Sequence, residues 1–201
     1  MTSTWTRSLT ALAVSAAFVL ACTKTDPASA TSPVARGKYL VDALGCADCH
    51  TPMQMGAQGP EPMPGRHLSG HPEAVKLPPP PAASGPWIAS TAATMTAWAG
   101  PWGVSYPANL TPDKETGLGG WTADTFIATL RTGRHEGHGR EILPPMPWPA
   151  YRNLSDDDLR AVFAYLQSLP AVKNRVPQPL PPQATGSEPA PAPAPSPAPS
   201  K

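Results

Sequence analysis

The amino-acid sequence predicts an all-α domain set between appendages that stay outside its core, and three observations carry that expectation. Apolar residues recur at helical spacing in stretches that begin near Pro33, Thr122 and Ser155. Each stretch has its own capping or stop chemistry. Elsewhere the 30 prolines and 16 glycines of the 201 residues, with only 40% apolar, leave too little material for one core spanning the whole chain. A formal net charge of +1 gives no strong field, so nucleic acid is not an expected partner.

Residues 1–22 read as an export signal, with Arg7 as the positive n-region and an uncharged run from Leu9 to Ala21 that is short for a bilayer span. The run ends Val19-Leu20-Ala21-Cys22, which resembles the lipobox of bacterial lipoproteins and makes Cys22 the expected lipidation site. Leu20 departs from that pattern, where a smaller residue is usual. Ala28-Ser29-Ala30 offers a competing cleavage site that would release a soluble product. Lys24 and Asp26 lie awkwardly before that site, so the lipid anchor is the preferred reading. Either route delivers the protein to the periplasmic side of a bacterial membrane. Residues 23–33 then form a flexible tether, 34–176 the folded domain, and 177–201 an unpacked tail of alternating Pro, Ala and Ser.

The first helix places Val34, Tyr39, Leu40 and Leu44 at helical spacing. Gly37 inside it costs about 1 kcal/mol relative to Ala, which points to close approach by another helix, with an ordinary surface glycine as the alternative. The pattern leads into Cys46-Ala47-Asp48-Cys49-His50. On a helical segment, residues three and four apart share a face, so the two thiols and the imidazole can meet one edge and one side of a porphyrin. C-x-x-C-H is accordingly the attachment pattern of a covalent haem c, with His50 reaching the iron. Zinc would need two further ligands, and among His67, His71, His135 and His138 only the first two stand at a suitable spacing. A thioredoxin-type pair would sit near a βαβ pattern, and helix and loop flank this one instead.

Residues 51–108 carry no sustained periodicity and are expected as a long loop, which Trp87, Trp98, Trp102 and Tyr106 pack against the domain, with one short helix over Thr91–Trp98. A middle helix starts at the N-cap Thr122, presents Phe126, Ile127 and Leu130, and stops at Gly133. A polar loop to Arg140 follows. In Leu143–Pro149 the prolines on both sides of Met146 are expected to hold an extended segment, so its thioether loses little freedom on binding iron. The last helix opens with Ser155 and Asp158 as a capping-box-like pair, carries Leu159, Val162, Phe163, Tyr165 and Leu166, and closes at Pro170.

This order of elements resembles the class I cytochrome c fold, with a long loop insertion between the haem motif and the middle helix. It is most similar to the monohaem domains of dehydrogenase-associated and cytochrome-c-553-like bacterial proteins. The stretches RGKYLVDALGCADCHTPM, GRHLSGHP, GPWGVSYPANLTPDKETGLGGWTADTFIATLRTGRH and LPPMPWPAYRNLSDDDLRAVFAYLQSLPAVKNRVP carry the resemblance. It implies thioether attachment through Cys46 and Cys49, His50 as proximal and Met146 as distal iron ligand, and contact of Gly37 and Tyr39 with Val162 and Tyr165. By the same analogy the second nitrogen of His50 donates to the carbonyl of Pro60 or Pro64. Arg131, Arg134, Arg140 and Trp121 are candidate partners for the haem propionates.

A haem with two protein ligands has no open position, so the expected function is single-electron transfer, without catalysis, between a dehydrogenase or quinol-oxidising donor and an oxidase-type acceptor. Contacts with these redox partners are expected to be transient, and the membrane is met through the lipid anchor. The alternative is a haem enzyme or a gas or peroxide sensor in which Met146 is labile. A bis-histidine haem that uses one of the four other histidines stays open.

Overall fold

The structure is a computed structural model that describes residues 32–81 and 86–182. The expected export run with Cys22, the tether up to residue 31 and the tail from 183 lie outside the described residues. Among the described residues, no helix is long and apolar enough to cross a membrane.

Helix α1 (Pro33–Ala43) starts where Ser32 accepts a hydrogen bond from the Ala35 amide at 3.2 Å and Pro33 takes a first-turn position that needs no N–H. It buries Gly37, Leu40 and Val41, which face the last helix, α5 (Asp156–Gln167). A Cβ built on Gly37 would stand 2.5 Å from the Ala161 carbonyl carbon and 2.8 Å from the Tyr165 Cβ. Two backbones meet at that point and only hydrogen fits, which excludes the surface-glycine alternative. Val34 and Tyr39, expected on the apolar face, are instead exposed, at 41% and 61%. The Arg36 guanidinium lies over the Tyr39 ring, 5.5 Å from its centroid, and bonds Asp158 across the crossing at 2.9 Å.

Helix α5 is capped as its sequence predicts, with Ser155 Oγ accepting from the Asp158 amide at 3.1 Å, and it buries Leu159, Ala161, Val162, Tyr165 and Leu166. The middle helix, α3 (Ala123–Thr132), begins at Thr122, whose hydroxyl accepts from the Thr125 amide, and ends at Gly133 with φ 68°. Phe126, Ile127 and Leu130 from α3 join Leu40, Val41, Leu159, Val162 and Leu166 in one core. The short helices α2 (Cys46–His50) and α4 (Trp148–Tyr151) flank that core.

The helical frame stands, but the all-α expectation fails over residues 51–108, where two small antiparallel sheets form among the described residues. Strands β1 (Met53–Gly56) and β2 (Gly59–Pro62) make a hairpin, and β3 (Ser90–Thr91), β4 (Trp98–Gly100) and β5 (Gly103–Ser105) make a meander. Thr91 and Trp98, expected at the ends of a helix, pair across β3 and β4 instead. Strands of two to four residues are too short to show an alternation in sequence. Trp87 also departs from expectation, since it is 77% exposed.

The C-terminal boundary shifts as well. Chain expected to be unpacked from 177 runs on in contact with the domain, and Leu180 forms an isolated antiparallel bridge with Val104.

Candidate functional site

Gly45, in the left-handed region at φ 65°, turns the chain sharply from α1 into α2. The single turn of α2 brings Cys46, Cys49 and His50 to the wall of one cavity of about 800 Å³. That volume suits a cofactor-sized guest. Leu44, Leu110, Leu118, Phe126, Leu130, Leu159, Val162 and Leu166 line the cavity with apolar surface.

His50 is 8% exposed, and its Nδ1 lies 2.8 Å from the carbonyl oxygen of Ala108. A carbonyl can only accept, so Nδ1 carries the proton and Nε2 keeps its lone pair. Burial lowers the imidazole pKa, against the raising effect of the Ala108 bond, which keeps the ring neutral. The expected partners, Pro60 and Pro64, are elsewhere: Pro60 sits in β2 and pairs with Met55. The Ala108 carbonyl is set in place by a facing segment, because Gly70 donates to the His50 carbonyl at 2.7 Å, His71 to Pro107 at 3.2 Å and Leu110 to Leu68 at 2.9 Å. Gly70, at φ 75°, would drive a Cβ to 2.5 Å from the Pro107 oxygen, so the two segments need glycine there.

Burial pushes the Cys46 thiol up to about 11 and raises Cys49 as well, with Asp48 adding to both. Burial thus favours the protonated thiols over activated thiolates at both positions. Among the described residues no group of three or more His, Cys, Asp or Glu could hold a metal ion.

Met146 reaches the same cavity from the far end of the domain. Its segment is not the extended run expected from the prolines. Pro144 and Pro145 occupy a turn with a cis peptide between them, and the Met146 amide donates to Leu143 at 3.4 Å. Ser105 Oγ donates to the Pro144 carbonyl at 2.5 Å, and Trp148 covers Gly133, where a Cβ would come within 2.5 Å of its ring. On α4, Tyr151 Oη donates to the Leu44 carbonyl at 2.7 Å, which links the Met146 side of the cavity to the Cys46 side.

Of the four residues expected at the propionates, Trp121 and Arg140 line the cavity. The other two are committed elsewhere. Arg131 donates to the Arg152 carbonyl, to the Leu154 carbonyl at 2.9 Å and to Asp156, and Arg134 pairs with Glu141 at 2.9 Å and with the Gly139 carbonyl. Both stabilise loops, so neither is a cavity group. Lys114 and Arg175 line the cavity and went unrecognised in the sequence because no motif surrounds them. Of the remaining histidines, His135 lines the cavity, while His71 is buried against Thr96 and Val75.

These residues fit haem c. One wall offers two thiols a helical turn apart and an imidazole with a free Nε2, another offers a soft thioether, and the space between them is apolar. A family model described as cytochrome c matches residues 34–170. The chain is 31% identical over 187 residues to the fructose dehydrogenase cytochrome subunit of Gluconobacter japonicus, an alignment that covers 86% of this chain and 32% of that one. It is 31% identical over 132 residues to the gluconate 2-dehydrogenase cytochrome c subunit of Pantoea cypripedii, covering 66% and 22%. It is 43% identical over 65 residues to the cytochrome c subunit of the quinone alcohol dehydrogenase of Gluconobacter oxydans, covering 32% and 13%. The chain thus spans no more than about a third of the length of these curated relatives.

Proposed function

This chain belongs to the cytochrome c family, and we propose that it is an electron carrier holding one haem c, which accepts single electrons from a dehydrogenase and passes them to an oxidase-type acceptor. Cys46 and Cys49 would hold the haem covalently, and His50 Nε2 and the Met146 sulfur would take the two axial positions. The observation that carries the reading is that these four side chains, from opposite ends of the domain, line one apolar cavity. Haem iron between an imidazole and a thioether exchanges one electron between ferric and ferrous states, and the thioether favours the reduced form.

Each residue has a physical task. The Ala108 carbonyl fixes the His50 tautomer and ring plane, so the ligand needs no reorganisation when the charge on the metal changes. Ser105 restrains the turn that carries Met146. A second protein ligand from Met146 would leave the iron no open coordination position, which suits a carrier and not an enzyme. Arg140, Lys114, Arg175 and Trp121 are cavity groups able to meet propionate oxygens. That the relatives are cytochrome subunits of fructose, gluconate and alcohol dehydrogenases supports a dehydrogenase as donor and favours the carrier over the sensor. Export, and a lipid on Cys22 that keeps the domain at the periplasmic face of the membrane, rest on the sequence pattern alone.

The test is spectroscopic. Protein exported together with haem-attachment machinery should stain for covalent haem on a denaturing gel and show the ferric methionine-to-iron band. Met146→Ala should lose the band and keep the stain. A parent protein without the band would refute Met146 as ligand. If His135→Ala then changed the haem spectrum while Met146→Ala did not, His135, which also lines the cavity, would take its place.

A further inference from the structure

The family match ends at residue 170, and α5 ends at Gln167, yet the chain beyond them is fastened at two places. The first fastening is Asn174, 1% exposed. Its side-chain amide donates to the Ser69 carbonyl at 2.7 Å and the His71 carbonyl at 2.9 Å, its Oδ1 accepts from the Glu73 amide at 2.9 Å, and its own N–H donates to Thr116 Oγ1 at 3.0 Å. An amide with all these bonds made is a clamp. The second fastening is Leu180, whose N–H donates to the Val104 carbonyl at 2.9 Å and whose carbonyl accepts from the Val104 N–H at 3.0 Å. Gly103, at φ 93°, lets the backbones close, since a Cβ there would lie 2.6 Å from the Pro181 carbonyl carbon.

Everything between the two fastenings, Arg175 to Pro179, lines the same cavity as Cys46, His50 and Met146. Pro177 and Pro179 restrict the span, so little conformational freedom is lost in holding it there.

We propose that Arg175–Pro179 is part of the cofactor-binding site: a strap that covers one edge of the haem and keeps water from it. The proposal rests on the haem reading above. Ferric haem carries one positive charge more than ferrous haem, so water at its edge stabilises the oxidised form, and excluding that water raises the reduction potential. Arg175 adds a cation to the strap, which acts in the same direction.

The test uses the full-length holoprotein and two variants. Leu180→Pro removes the N–H that bonds Val104 and puts a ring carbon where its hydrogen lay, so the bridge opens. A stop after Asn174 removes the strap and leaves the clamp. Reduction potential and the methionine-to-iron band are read on all three proteins, and amide exchange at Leu180 on the parent, because neither variant carries that amide. The parent is expected to protect the Leu180 amide. Both variants should keep the band and, at a fixed ambient potential, shift the ferric-to-ferrous ratio about tenfold toward ferric, which is 59 mV for a one-electron couple. Unchanged potentials with the band intact would overturn the strap and leave the haem reading standing, as would an unprotected Leu180 amide in the parent. Absence of the band from the parent would instead refute the axial ligand set.

Discussion

Replacing Gly37 by Ala tests the packing that brings both halves of the site together. The added Cβ would stand 2.5 Å from the Ala161 carbonyl carbon and 2.8 Å from the Tyr165 Cβ, whereas ordinary contact begins at 3.4 Å. Neither neighbour can rotate away, because one is main chain and the other is a first side-chain carbon. Helices α1 and α5 must therefore part by about 1 Å, a gap that forfeits a quarter to a half of each dispersion contact across the seam. Leu40, Val41, Leu159, Val162 and Leu166 all lie in that core. With the usual range for an overpacked core, the loss is about 3 kcal/mol, and it outweighs the gain of up to about 1 kcal/mol that Ala brings to a helix. In urea, at a slope of about 2 kcal/mol/M, the net loss of about 2 kcal/mol should lower the midpoint by roughly 1 M. Gly120→Ala is the control, since its Cβ would meet only the Lys114 oxygen at 3.8 Å, and it should leave the midpoint within a few tenths of a molar. A Gly37→Ala midpoint within 0.3 M of the parent, on the order of 0.5 kcal/mol at that slope, would show that the helices do not cross at this residue.

Three further outcomes are expected. Ser105→Ala removes the bond to the Pro144 carbonyl, worth about 1 kcal/mol, so titration of the methionine-to-iron band with an external ligand should show Met146 displaced at roughly fivefold lower concentration, and an unchanged titration would contradict the restraint. Burial lowers the pKa of His71, whose Nδ1 meets the Thr96 hydroxyl at 3.0 Å and whose Nε2 meets the Val75 carbonyl at 3.3 Å, with Lys76 also opposing a positive charge. The folded protein thus binds fewer protons here than the unfolded chain, so this contribution is full above about pH 6.5 and is lost as pH falls toward the folded pKa, by at most about 1.4 kcal/mol per pH unit. Comparing urea midpoints at pH 7.5 and 5.5 should show His71→Asn with a flatter dependence than the parent. Arg131→Ala should cost about 1–3 kcal/mol by freeing the carbonyls of Arg152 and Leu154, yet leave the reduction potential unchanged, and a shifted potential would return Arg131 to the haem.

Much of this was legible because the relevant signals are local. Ser155, Thr122 and Gly133 act within one turn of their own helices, and Cys46, Cys49 and His50 within five residues, so periodicity and spacing reach them. Gly37 was legible as an anomaly, a poor helix former in a good helix. What escaped depends on pairings distant in sequence. No rule links His50 to Ala108, Ser105 to Pro144 or Val104 to Leu180, and the strands that supply two of these partners are too short to announce themselves. Arg131 and Arg134 illustrate the same limit of local signals: a guanidinium in a polar loop looks the same in sequence whether it faces a cavity or ties down a carbonyl.

Two adjacent residues of β5 differ in how open they are to inherited change. The link from Val104 to Leu180 is made by main-chain atoms and survives most replacements at either position, whereas the link from Ser105 to Pro144 is a hydroxyl that one substitution erases. Drift at residue 105 can therefore loosen the turn that carries Met146 while the main-chain bridge to residue 180 passes on intact. A lineage gains in this way a graded dial beside a fixed stop, without touching Cys46, Cys49, His50 or Met146.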